Sequence, residues 1–134
     1  MTGISLERSK ISIQQITDGI SKTYLVGERY IPAADYETGL SIGDNETWCT
    51  GFNNDNYRKT GRFDGGEIVE LLPIPDSELG AKEPNGRFGS AHPDGWNASF
   101  CDGSVRTIRY DIDWRVHRDV GSRMDGNTIR LPAR

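Results

Sequence analysis

Apolar residues along this chain form short, separated groups. Ile4, Leu6, Ile11 and Ile13 are spaced through residues 4–13 as in a strand with one buried face. Thr17-Asp18-Gly19 interrupts that pattern. The bulky and β-branched stretch Thr23–Tyr30 then predicts a second strand, with Gly27 marking a bulge or a close backbone approach, and Pro32 ends it. Thr47–Phe52 predicts a third strand, set between the polar clusters 43–46 and 53–56. Residues 63–86 hold Pro73, Pro75, Pro84 and one apolar piece, 68–72, which predicts a surface excursion with an edge strand. The last third is the most regular. Residues 96–101 and 104–110 predict a β-hairpin closed by a two-residue Asp102-Gly103 turn, which places Phe100 opposite Val105. Asp113 then caps a short helix carrying Trp114, Val116 and Val120, with Gly121 at its end, and Thr128–Leu131 predicts a closing strand.

Composition supports this picture. A chain of 134 residues is enough for one domain, and Leu, Ile, Val and Phe together number 28, just above the level typical of disordered chains. Five of the 16 glycines directly follow Asp, which is turn chemistry and favours a β-rich or α+β fold over a helix bundle. The longest apolar run is Tyr24-Leu25-Val26, so no segment of this sequence spans a membrane, and no signal peptide opens it. The 16 basic residues against 20 acidic ones give a net charge of -4, which argues against a general nucleic-acid binder.

The candidate chemistry is sparse. His92 lies in Phe88-Gly89-Ser90-Ala91-His92-Pro93-Asp94-Gly95, where Ser90 and His92 suggest a nucleophile and base with Asp94 or Asp102 as orienter. No G-x-S-x-G elbow surrounds Ser90, so the favoured expectation is that His92 bonds a buried backbone group and locks its loop. Asp44, Glu46 and Asp55, with Asn45 and Asn53, offer the oxygen ligands calcium prefers, although the spacing is not that of an EF-hand. Cys49 and Cys101 are compatible with a disulfide in an extracytoplasmic protein or with two free thiols. Together with His92 and His117 they lack the clustering of a zinc site. Trp48, Trp96 and Trp114 are either core residues or stacking faces for a ligand.

Longer motifs narrow the reading. His92 is followed by nine residues and then Asp102-Gly103, within FGSAHPDGWNASFCDGSVRTI; a second block runs ITDGISKTYLVGE from Ile16 to Glu28. A third comprises Asp44-Asn45-Glu46 with Gly51-Phe52-Asn53-Asn54-Asp55. In order and spacing these blocks resemble a large bacterial family of pilin-like, prepilin-type secreted proteins carrying an H-x9-D-G motif, with Ile20 and Lys22 where Thr and Asn are usual. The resemblance implies an α+β, mostly antiparallel β, pilin or type II secretion pseudopilin-like fold. Residues 1–134 would be a single globular domain, part of a longer family domain, lacking the family's leader and hydrophobic N-terminal helix. It further implies export to the periplasm or cell surface, membrane attachment only through that missing helix, and other pilin-like subunits or secretion machinery as partners. His92, Asp102 and Gly103 would be structural motif residues, with no enzymatic activity and no cofactor unless calcium binds. The alternative expectation is an extracellular module for a carbohydrate or small solute.

Overall fold

The computed structural model describes residues 2–81, 86–127 and 131. Its strands are β1 (Tyr24–Gly27), β2 (Gly61–Asp64), β3 (Glu67–Glu70), β4 (Ile74–Pro75), β5 (Gly89–Ser90), β6 (Gly95–Phe100) and β7 (Val105–Arg109), followed by the helix α1 (Trp114–Val120). The main sheet has the order β1-β6-β7 and is antiparallel throughout. β2 and β3 form a separate antiparallel hairpin, and β4 and β5 a short parallel pair. The architecture is α+β, mostly antiparallel β. Among the described residues no helix is long and apolar enough to cross a membrane.

Alternation along β6 makes the core. Trp96, Ala98 and Phe100 point inward and are fully buried, and Tyr24 of β1, Ile108 of β7, Phe88, Ile112 and Val120 close around them. Tyr24 lies at the centre of an aromatic cluster, its ring centroid 5.3 Å from those of Trp96 and Phe100 and 5.7 Å from that of His117. Gly27 belongs where it stands: a Cβ there would sit 2.4 Å from Trp96 Cζ3, and a register shift between Tyr24 and Val26 bulges the strand just before it. Asp113 caps α1, its Oδ1 accepting from the amides of Arg115 (2.8 Å) and Val116 (3.3 Å). Gly121 follows at an ordinary φ of -75°, so its smallness serves contact with Thr60 rather than a left-handed stop.

The hairpin forms one residue out of the expected register. Its loop has three residues: the amide of Gly103 donates to the Phe100 carbonyl at 2.9 Å, and that of Phe100 to the Ser104 carbonyl at 2.8 Å. Gly103, at φ +82°, takes the left-handed position of such a bulged turn. Ser99 therefore opposes Val105, which puts Phe100 in the core and leaves Val105 60% exposed.

Three further expectations change. Residues 4–13 form no strand. A turn joins Ser9 to Leu6, and the Ser12 amide, bonded to Gln15 Oε1 at 2.8 Å, opens a 3-10 turn over Ile13–Gln15. Thr47–Phe52 is also a 3-10 turn (Trp48–Thr50), because both the amide and the hydroxyl of Thr50 bond back to the Thr47 carbonyl. Within 63–86 the described residues hold the end of β2 and all of β3 and β4 rather than one edge strand. Gly65 and Gly66, both at positive φ, close the β2–β3 hairpin, after which Leu71 and Pro73 are buried. The expected strand at 128–131 lies outside the described residues except for Leu131, which packs on the core.

Candidate functional site

The H-x9-D-G residues do not converge. His92 precedes β6 and Asp102 follows it, so a six-residue strand, roughly 20 Å long, separates them. Each end instead meets the Ile16–Glu28 block, because β1 runs antiparallel to β6. At the turn, the amides of Cys101 and Asp102 donate to the carbonyls of Thr23 (2.9 Å) and Ile20 (3.0 Å). Asp102 Oδ1 accepts from the Ser104 hydroxyl (2.7 Å) and amide (2.9 Å), and these bonds hold its carboxyl below the usual range.

At the other end, Glu28 is the hub. Its carboxylate accepts from the amide (2.7 Å) and side chain (3.2 Å) of Asn97, and His92 Nε2 lies 3.6 Å from Oε1. Burial pushes the Glu28 carboxyl up, but the Asn97 bonds, the Ser90 hydroxyl and the His92 charge outweigh it and lower its pKa. Glu28, His92, Asp76 and Ser90 line an open groove of about 410 Å³. The β4–β5 pair places Ser90 beside Asp76, whose amide donates to the Ser90 carbonyl at 2.9 Å. The buried Asp76 carboxylate accepts from the Ile31 amide (3.0 Å) and the Tyr36 hydroxyl (2.7 Å), which pushes the Tyr36 pKa up to about 12. The Tyr110 hydroxyl reaches the carbonyls of His92 (2.9 Å) and Ser90 (3.2 Å). Burial, then the charges of Asp76 and Glu28, raise its pKa to about 12.

His92 differs from expectation here. Its side chain is 61% exposed and faces Glu28, and the loop is held by main-chain groups: the His92 amide on Ser90 Oγ (3.1 Å) and the His92 carbonyl under Tyr110. The Ser90 hydroxyl is turned to Glu28 and the His92 amide, not to the imidazole, so no nucleophile–base pair is assembled among the described residues.

The acidic loop is neutralised from within. Arg29 pairs with Asp44 and bonds the carbonyls of Asp55 (3.1 Å) and Gly43 (3.2 Å). Arg58 bonds the carbonyls of Tyr57 (2.9 Å) and Gly43 (3.2 Å), and burial, then the Arg29 charge, lowers its pKa to about 10. Asp55 Oδ2 accepts from the Glu46 amide, and the Glu46 carboxylate from Asn53 Nδ2. Guanidinium and amide donors thus reach one oxygen each of Asp44, Glu46 and Asp55, the residues expected to offer calcium ligands, while Asp55 Oδ1 is buried without a hydrogen-bond partner among the described residues. Among the described residues no group of three or more His, Cys, Asp or Glu is placed to hold a metal ion. Cys49, exposed, and Cys101, half-buried with Sγ 3.7 Å from the Tyr24 carbonyl, are free thiols. Burial, then the Asp102 charge, pushes the Cys101 thiol up.

The sequence alone assigned no role to Glu28, Asp76 or Tyr110, and brought up His117 only as a candidate zinc ligand. His117 is fully buried on α1, its Nδ1 3.4 Å from the Tyr24 hydroxyl, and burial drives its pKa down to about 3. Its place three residues before Val120, on the inner face of the helix, was the available signal.

The fold and these contacts define a small α+β domain whose two longest sequence blocks clamp each other at both ends of one hairpin. The family model described as "Protein of unknown function (DUF1559)" matches residues 1–115, and the chain belongs to that family. No match was found among curated proteins or among solved structures.

Proposed function

We propose that the chain is a non-enzymatic, exported pilin- or pseudopilin-like structural domain acting in envelope assembly or secretion. The observation that carries this reading is the outer face of the main sheet. While the inner face holds the aromatic core, Val26 and Val105 flank Ser99 in register on the outer face, 63% and 60% exposed, with Leu25 beside them. Exposed apolar side chains on β1 and β7, on either side of Ser99 of β6, suit a further packing element. In this reading the partners are other pilin-like subunits or secretion machinery, and nucleic acid is not among them. A hydrophobic N-terminal helix preceding the globular part supplies the membrane link, and the domain works in the periplasm or at the cell surface. The test is envelope fractionation and cross-linking of the native reading frame, with a Val26→Asp, Val105→Asp double variant alongside. The wild type is expected in the envelope fraction, cross-linked to partner subunits, and the folded double variant is expected to lose the cross-links. Purely cytosolic recovery of the wild type, or unchanged cross-links in the double variant, would refute the reading.

A second reading is an extracellular binding module for a carbohydrate or small solute. It is favoured by the placement of aromatics outside the core: Trp48 is 84% exposed, and Phe52 and Tyr57 wall a surface cleft. Trp96 is buried, and Trp114 is half-buried with its indole N–H on the Thr60 carbonyl at 3.1 Å.

A further inference from the structure

We draw no further inference here: the strongest candidate, the groove beside β1 and β5 lined by Glu28, Asp76, Ser90 and His92, belongs to the site already described, and the hydrogen bonds to both of its carboxylates come from the fold itself.

Discussion

Acidification should unfold this protein through His117. The ring is fully buried among Tyr24, Phe88 and Trp96, and its pKa is driven down to about 3, whereas an unfolded-chain imidazole titrates near 6.5. A folded-state pKa depressed in this way means that the unfolded chain takes up a proton the folded one refuses. The stabilisation is therefore complete above about pH 6.5 and is lost as pH falls towards 3. Linkage over that window gives a loss of about 2 kcal/mol between pH 7 and pH 5, and about 3 kcal/mol by pH 4. Urea unfolding followed by tryptophan fluorescence at pH 7, 6 and 5 measures it, with Trp96 only 6.0 Å from the imidazole as reporter. The comparison is His117→Phe, which keeps an aromatic ring and removes the titration. Its absolute stability is immaterial, because the measured quantity is the slope with pH. The variant should be nearly flat between pH 7 and 5 while the wild type approaches about 1.4 kcal/mol per pH unit. Equal slopes in the two proteins would refute the assignment of His117 as a buried neutral group.

Other outcomes follow from the same geometry. Gly27→Ala should destabilise by about 1–3 kcal/mol in thermal or urea unfolding, since its Cβ would meet Trp96 at 2.4 Å in a packed core. Asp113→Ala should cost about 1 kcal/mol in the same assay by removing the α1 cap, with Asp113→Asn recovering most of it. His92→Ala should change stability by only roughly 0–1 kcal/mol, because its pairing with Glu28 is largely exposed to solvent. A loss of 2 kcal/mol or more would mean that the loop depends on the imidazole rather than on Tyr110. Tyr110→Phe, which removes the hydroxyl from two carbonyls, should therefore destabilise more than His92→Ala.

The sequence by itself determined what local chemistry controls. The bulky run at 23–30, the alternation through Trp96, Ala98 and Phe100, and the Asp113 cap each announce their element within a few residues. The same locality explains the failures at 4–13 and 47–52. There the apolar spacing resembles a strand, but a strand needs a partner, and the nearby Ser, Thr and Gln groups close turns first. Tertiary structure decided the rest. The hairpin register turned on the left-handed Gly103: Phe100 stays in the core, and Val105, its expected partner, is turned out to solvent. Glu28 meets Asn97 across 69 residues of chain, an encounter set by β1 pairing with β6. Asp44, Glu46 and Asp55 look like cation ligands in sequence, and only the fold brings Arg29 and Arg58 among them. Burial made the difference for the two histidines as well. Two residues with the same side chain became an exposed ring beside a carboxylate and a neutral one sealed in the core, because solvation belongs to the assembled surface and not to the residue.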